Sequence, residues 1–175
     1  MDFCVHCLRM RFHLLLIDDD PLLLCAFSGM LAFNFPSIQV TAVDSGAAAV
    51  GELKKQDYDI VICDLMMPGM DGEMTLEAIR KDHPRLRMYL MTGHPEPEKV
   101  YKTTQATGFI KKPMDRGWFL DFLRRTIQVI SADKTVVERV MQVSEHLSSS
   151  MQRQAEVTRF LEAKIPAFLP TKEVT

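Results

Sequence analysis

The chain has 175 residues, 47% of them hydrophobic and 25% charged, and its 21 Lys and Arg against 23 Asp and Glu give a formal net charge of -2. Length and composition predict one globular domain of ordinary size plus an appendage, and they exclude a disordered chain. The sequence has no basic cluster and no apolar run of roughly 18 residues, so neither direct nucleic-acid binding nor membrane insertion is expected.

The N-terminal residues 1–11 are expected to form a tail, and they lack the apolar core and cleavage site of a secretory signal. We therefore expect a cytoplasmic protein. Cys4 and Cys7 form a C-x-x-C pair, but no second ligand pair follows at a spacing suited to zinc, which disfavours a metal site. Cys25 and Cys63 fall in segments expected to be buried, where free cysteine behaves as a small hydrophobic residue.

Strands and helices are predicted to alternate from residue 12 to residue 130. The first apolar run ends in three aspartates and Pro21, where Asp20 is suited to cap a helix and Pro21 to begin it. This pattern of alternation predicts an α/β fold with a parallel sheet, right-handed crossovers and helices on both faces. The predicted strands are 12–17, 38–43, 58–63, 86–91 and 108–111, and the predicted helices are 22–33, 47–55 (capped by Ser45), 73–81, 95–106 and 118–130.

Polar residues stand at the carboxyl ends of four predicted strands, which is where ligands bind in such folds. Three carboxylates held close together repel one another, and hard oxygen ligands with room for water and phosphate favour Mg²⁺. A nearby hydroxyl and ammonium suit the oxygens of a phosphoryl group. The pattern predicts phosphoryl transfer to a carboxylate, giving an aspartyl-phosphate. The residues are Asp18 and Asp19 after the first strand, Asp64 after the third, Thr92 after the fourth and Lys112 after the fifth.

Four blocks of sequence strengthen this prediction: LLIDDDP at 15–21, DLMMPGMDG at 64–72, MTG at 91–93 and FIKKP at 109–113. Together, and in this order, they closely resemble the receiver domain of bacterial two-component response regulators. The resemblance implies a doubly wound, five-stranded parallel sheet of flavodoxin-like order 2-1-3-4-5, to which the residues after 130 add a C-terminal helical extension. The chain would then comprise a tail (1–11), a receiver domain (12–130), a long helix (131–165) and an irregular end (166–175).

The resemblance also implies a role for each site residue. Asp64 would accept the phosphoryl group from a histidine kinase or phosphotransfer protein, with no enzymatic activity beyond the protein's own phosphorylation and dephosphorylation. Mg²⁺ would be the cofactor. Its ligands would be Asp18, Asp19, Asp64 and the backbone carbonyl of Met66, and the groups binding the phosphoryl oxygens would be Thr92 and Lys112.

Two further family features concern switching and the lifetime of the phosphate. Switching couples Thr92 to the aromatic residue three positions before the lysine, here Phe109, which lacks the hydroxyl of a tyrosine. Met66 and His94 stand at the two positions that tune phosphate lifetime. An apolar Met66 could hinder the attacking water and lengthen that lifetime, whereas His94 could act in either direction.

Residues 131–164 contain neither proline nor glycine and predict one long helix of roughly 50 Å. Its apolar residues favour a coiled coil and a homodimer through this helix, with a polar middle; the alternative is a helix folded back on its own receiver domain. His146 lacks the context of a phosphotransfer histidine, and no DNA-recognition helix is visible. The heptad positions, six of eight apolar, are Val136, Val140, Val143, Leu147, Ser150, Gln154, Val157 and Leu161.

Two functions of other classes compete with the signalling prediction. A phosphatase of the haloacid-dehalogenase type would also form an aspartyl-phosphate, but its nucleophile would be Asp18, and Leu22 stands where that family has Thr or Val. A phosphate-independent scaffold would keep the acidic site only as a vestige. The complete set of five polar residues argues against the scaffold, and a binding test would exclude it.

Overall fold

The computed structural model describes residues 11–97 and 105–164, with side chains as far as residue 156 and at residue 159. In chain order the elements are β1 (Phe12–Ile17), α1 (Pro21–Asn34), β2 (Ile38–Val43), α2 (Gly46–Leu53), β3 (Ile60–Asp64), α3 (Gly72–Asp82), β4 (Arg87–Thr92), β5 (Gly108–Lys111) and α4 (Arg116–Lys164). Most of the predicted helix 95–106 lies outside the described residues. Of its described residues, 97 is helical, whereas 95, 96, 105 and 106 are not.

The five strands form one parallel sheet in the order β2-β1-β3-β4-β5, which confirms the predicted flavodoxin-like fold. In a parallel sheet the carboxyl ends of all strands lie at the same edge. The register aligns Ile17 with Cys63 and Asp64 with Met91, while Thr92 is aligned with Lys111. The polar residues predicted to form a site are therefore delivered to one edge by strands β1, β3, β4 and β5.

Alternating residues of each central strand belong to two separate hydrophobic cores, one on each face of the sheet. In β1, Leu14 and Leu16 pack with α1 and the first turns of α4, while Leu15 and Ile17 pack with α2 and α3. All four are fully buried. A strand buried on both faces is a continuous apolar run rather than an alternating one, which explains why these strands were recognisable in the sequence.

Side-chain caps begin the first three helices. The Asp20 carboxylate accepts hydrogen bonds from the backbone N–H groups of Leu22 and Leu23, with Pro21 as the first helical residue, as predicted. Ser45 caps α2, also as predicted, and the Asp71 carboxylate caps α3. These caps satisfy N–H groups that have no partner within the helix.

Two expectations about helices and burial require correction. The predicted helices 118–130 and 131–164 are one continuous helix, α4, because no proline or glycine interrupts it near residue 130. Cys63 is buried as expected, but Cys25 is exposed on α1. Helix α1 is apolar on all sides and contains no charged residue, so its sequence did not reveal which face contacts the sheet.

The contacts divide the chain into two compact units, Met1–Ser131 and Ala132–Thr175. The first contains the sheet and both cores. In the second, apolar side chains from Val136 to Met151 are exposed. Within residues 11–97 and 105–164, no helix combines the length and apolar character needed to cross a membrane.

Candidate functional site

Three carboxylates converge at the carboxyl edge of the sheet. Asp18, Asp19 and Asp64 each offer an oxygen, and these oxygens all lie within 4.8 Å of one another. Asp18 and Asp64 are buried, with 2% and 7% of their surfaces exposed, whereas Asp19 is open to solvent. Such a set of hard, closely spaced anionic oxygens with one open side fits a small divalent cation such as Mg²⁺.

Lys112 joins two of these carboxylates. Its Nζ lies 2.6 Å from Asp64 Oδ1 and 3.2 Å from Asp18 Oδ2. Burial by itself lowers the pKa of Lys112, but the hydrogen bonds and negative charges of Asp64 and Asp18 outweigh this effect and raise the pKa above its ordinary value of 10.5. The ammonium is therefore held in its charged form beside the two buried carboxylates.

Asp64 is held at the end of β3, where every residue is buried. Gly72, the first residue of α3, fixes the backbone that follows Asp64. Its N–H donates a hydrogen bond to the Leu65 carbonyl at 2.9 Å. A Cβ at position 72 would meet the backbone oxygen of Asp64 and would lie 2.8 Å from Leu65 Cα. Only glycine allows α3 to approach this closely, so Gly72 is a positioning residue for Asp64.

Thr92 ends β4, one position after the residue paired with Asp64, and only 3% of its surface is exposed. Its Oγ1 accepts a hydrogen bond from the His94 backbone N–H at 3.1 Å. The His94 side chain is fixed in turn, because its Nδ1 accepts from the Glu96 N–H at 3.1 Å. The end of β4 and the segment after it thus carry two polar side chains that are held in defined orientations.

The other two predicted site residues differ in exposure. Phe109 is half-buried on β5 and packs against the core that α2 and α3 cover. Met66 lies in the loop after β3, and 77% of its surface is exposed. The structure therefore places four predicted site residues close together, namely Asp18, Asp19, Asp64 and Lys112. Thr92 lies at the end of β4, the strand next to that of Asp64.

Sequence reasoning missed one feature next to the site and correctly expected the burial of another. Asp71 caps α3 through the Met74 N–H at 2.8 Å, although the D-G pair at 71–72 was a visible cap signal. Cys63 precedes Asp64, and burial raises its pKa well above the ordinary 9.0, assisted by the negative charges of Asp64, Asp18 and Asp71. Its thiol donates to the Asp64 carbonyl at 3.2 Å, so Cys63 remains a neutral packing residue.

Comparison with protein families gives one match that covers most of the first unit. Residues 14–124 match the family of the response regulator receiver domain. Response regulator protein FleR of Pseudomonas aeruginosa is 33% identical over 118 residues, which are 66% of this chain and 24% of FleR. Transcriptional regulatory protein GlrR of Escherichia coli is 36% identical over 106 residues, 59% of this chain and 23% of GlrR. The matches thus span about a quarter of the length of these relatives.

Solved structures give the same fold. The chemotaxis response regulator CheY4 of Vibrio cholerae superimposes with a TM-score of 0.61 at 26% identity, covering 67% of this chain and 99% of CheY4. The receiver domain of sensor histidine kinase PA1611 from Pseudomonas aeruginosa, determined with a magnesium ion coordinated in the active site cleft, superimposes with a TM-score of 0.60 at 24% identity. It covers 67% of this chain and 98% of the PA1611 domain.

Proposed function

Because the chain belongs to the response regulator receiver family, we propose that it accepts a phosphoryl group on Asp64 within a two-component phosphorelay. The donor is a histidine kinase or a phosphotransfer protein. The observation that supports this most directly is Lys112, whose ammonium contacts both Asp64 and Asp18 while the Asp19 carboxylate completes an acidic cluster. A half-buried lysine between two buried carboxylates at a strand edge compensates charge where a phosphoryl group would arrive.

The chemistry is a transfer to the carboxylate. One oxygen of Asp64 attacks phosphorus, and the new O–P bond forms as the P–N bond to the donor's histidine breaks, after which the departing imidazole takes up a proton. Lys112 keeps part of the negative charge compensated throughout, and the Thr92 hydroxyl is available to a phosphoryl oxygen. The protein turns over no other substrate in this proposal.

Mg²⁺ is the cofactor in this proposal, held by Asp18, Asp19, Asp64 and the backbone carbonyl of Met66. When bound, it compensates the negative charge of the phosphoryl group. The donor set supports this assignment, because it consists of hard oxygens with one exposed carboxylate, and the related PA1611 domain carries magnesium in its cleft. Thr92 and Phe109 form the proposed switch pair, and Met66 and His94 are the proposed determinants of phosphate lifetime.

A protein donor has an apolar surface beside the site on which to dock. Helix α1 begins directly after Asp20, and its exposed apolar residues recur at helical spacing on one face. They are Leu22, Cys25, Ala26, Gly29, Ala32 and Phe33. Leu22 and Met66 are 79% and 77% exposed. We expect Gly29→Glu, a position with no atom within 4 Å of an added Cβ, to impair transfer from a phosphorylated donor protein while leaving acetyl phosphate reactivity intact.

The output of the proposed relay is a change of self-association or partner binding through the C-terminal part of α4. Exposed apolar side chains from Val136 to Met151 support this, because they are unburied within a single chain and such faces mark interaction sites. A homodimer through this helix would cover those of them that lie at positions a and d of the heptad. The proposal also includes a cytoplasmic location, where two-component phosphotransfer takes place.

Acetyl phosphate with Mg²⁺, read by intact mass, tests the proposal. We expect one phosphoryl adduct in the wild-type chain, none in Asp64→Asn, and none when Mg²⁺ is chelated. An adduct that survives in Asp64→Asn but disappears in Asp18→Asn would favour the phosphatase-like alternative. No adduct, together with no Mg²⁺ binding by calorimetry, would favour the scaffold.

A further inference from the structure

The C-terminal part of α4 carries an uncharged face that is broader than a two-stranded coiled coil requires. We assign heptad position d to Val136 and position a to Val140, and we call all residues that share one heptad letter a column. Every residue in columns a, b, d and e from Val136 to Ala155 is uncharged. The large apolar residues of this face are 58–70% exposed. They are Val136, Val137, Val140, Met141, Val143, Leu147 and Met151.

The width of this face distinguishes a bundle from a pair of helices. A two-stranded coiled coil buries columns a and d, whereas a helix inside a bundle is apolar at a and d and on a flanking column as well. Val137, Met141 and Met151 fall in columns b and e, outside the a/d seam. A pair of helices would leave these three side chains in water, and a bundle would bury them.

The residue types in the seam point the same way. Parallel two-stranded coils favour β-branched residues at a and leucine at d, and leucine at a with a β-branched residue at d favours more strands. Here column a contains Val140, Leu147 and Gln154, and column d contains Val136, Val143 and Ser150. Because leucine is absent from d and present at a, the seam lacks the regular pattern of a two-stranded coil.

The two borders of the uncharged face carry opposite charges. Column g, beside d, contains Arg139, His146 and Arg153, and column f, beside b, contains Glu138 and Glu145. When identical helices pack in parallel around a closed ring, the g border of each meets the f border of its neighbour, so basic residues face acidic ones. In antiparallel neighbours the same border meets itself, which brings like charges together and is unfavourable.

We propose that the C-terminal helices of more than two copies of this chain assemble into a parallel, in-register bundle through columns a, b, d and e. A parallel arrangement gathers the receiver domains at one end, because the bundle-forming residues follow the receiver domain in the sequence of every copy. The assembly thereby raises the effective concentration of the receiver domains relative to one another, which favours contacts between them. This regulatory consequence rests on the proposed phosphorelay function, whereas the assembly itself does not.

Sedimentation equilibrium of the full chain, with and without acetyl phosphate and Mg²⁺, tests the assembly. We expect a mass of at least three chains of 20.0 kDa in at least one of the two states. Met151→Glu places a charge in column e, inside the proposed interface, and should lower this mass. Gln152→Glu, at the next residue in the sequence, places the same charge in column f at the border and should not lower it. Both positions are exposed in the single chain, so a difference between the variants reports assembly rather than folding.

A wild-type mass of one or two chains in both states would overturn the proposal, and so would equal masses for the two variants. A monomer would indicate that the helix folds back on its own domain or binds another protein. Intact mass of the same samples reports the Asp64 adduct independently. Assembly without an adduct would therefore refute the phosphorelay function alone, and an adduct without assembly would refute the bundle alone.

Disulfide trapping tests the orientation. In a full chain whose natural cysteines are replaced by serine, Val136→Cys and Gln154→Cys each form chain-to-chain disulfides on their own if the helices are parallel and in register. Antiparallel packing would give no disulfide with either variant alone, and if it is centred on residue 145 it would give one when the two variants are mixed. The absence of a disulfide from both single variants would overturn the parallel arrangement.

Discussion

Two opposing effects act on the ammonium of Lys112. Burial disfavours its ammonium, yet Asp64 and Asp18 would be left as uncompensated buried anions without it. Breaking a buried pair by removing one partner is costly because the remaining charge stays in a medium of low dielectric. The lysine thus has a structural role that can be measured separately from its role in phosphoryl binding.

Replacing Lys112 with methionine should destabilise the protein and increase its response to Mg²⁺. Without the metal, we expect the free energy of unfolding to fall by about 1–3 kcal/mol, because Asp18 and Asp64 lose their shared cation. Adding Mg²⁺ should restore more stability in Lys112→Met than in the wild type, since the metal would compensate the same carboxylates. Urea unfolding with and without Mg²⁺ measures both effects. An equal response to Mg²⁺ in both proteins would contradict the assignment of these carboxylates as metal ligands.

The buried thiol of Cys63 should resist alkylation in the native protein. Its pKa lies above the ordinary 9.0, so near pH 8 even less of it is thiolate than in a free cysteine, and iodoacetamide reacts with the thiolate. Cys25 is exposed and should react readily. Peptide mapping after alkylation, before and after unfolding in urea, compares the two cysteines within one sample. Equal native rates for Cys25 and Cys63 would show that this segment opens easily.

Helix α3 approaches β3 so closely that the packing depends on one glycine. Gly72→Ala should lower the free energy of unfolding by about 2–3 kcal/mol, because the new methyl group would press on the Asp64–Leu65 backbone and on Leu90 Cδ2 at 2.7 Å. The displaced backbone should also slow phosphorylation of Asp64. Chemical denaturation and acetyl phosphate kinetics on the same preparation measure the two effects.

Gly51→Ala is the matched control, because Gly51 lies inside α2 with no atom within 4 Å of the added Cβ. There the helix should gain roughly 0.5–1 kcal/mol from the better helix former, without any effect on phosphorylation. If both substitutions destabilised the protein equally, close packing at Gly72 would not explain the loss.

The boundary between the two units falls within a helix rather than in a loop. The last buried residues of the first unit are Ile130 and Ser131, at 6% and 5% exposure, and α4 continues beyond them. Near Ser131 the apolar residues move to a different face of the helix, and for this reason the sequence resembles two separate helices. The backbone hydrogen bonds continue because nothing in the local sequence interrupts them.

A chain ending after Ser131 should fold and accept phosphate on Asp64 at the same rate as the full chain, because both cores remain complete. A chain ending after Arg125 should lose cooperative unfolding, because it lacks Ile127 and Ile130, which are 1% and 6% exposed. Thermal unfolding and intact mass after acetyl phosphate treatment compare the two truncations. Equal behaviour of the two would show that the end of the core has been placed wrongly.

The sequence alone was sufficient for the carboxyl ends of the strands to within one residue, for the caps at Asp20 and Ser45, and for the expectation that four polar side chains meet at one edge of the sheet, because these signals are local. The four are Asp18, Asp19, Asp64 and Lys112. An apolar run that ends in a carboxylate, or an aspartate followed by proline, has the same meaning in any chain. Once a parallel sheet is predicted, its geometry brings the strand ends together without further information. The family resemblance supplied the strand order and the individual roles.

Only the tertiary structure decided which groups touch. That Lys112 joins Asp64 to Asp18, that Gly72 abuts the Asp64 backbone and that Cys25 faces solvent all depend on contacts between distant segments. Local periodicity cannot specify such contacts, because they arise from the register of neighbouring strands and from how closely each helix approaches the sheet. Helix α1 is apolar on every side, so its sequence pattern does not indicate which face contacts the sheet. Packing alone selects the buried face.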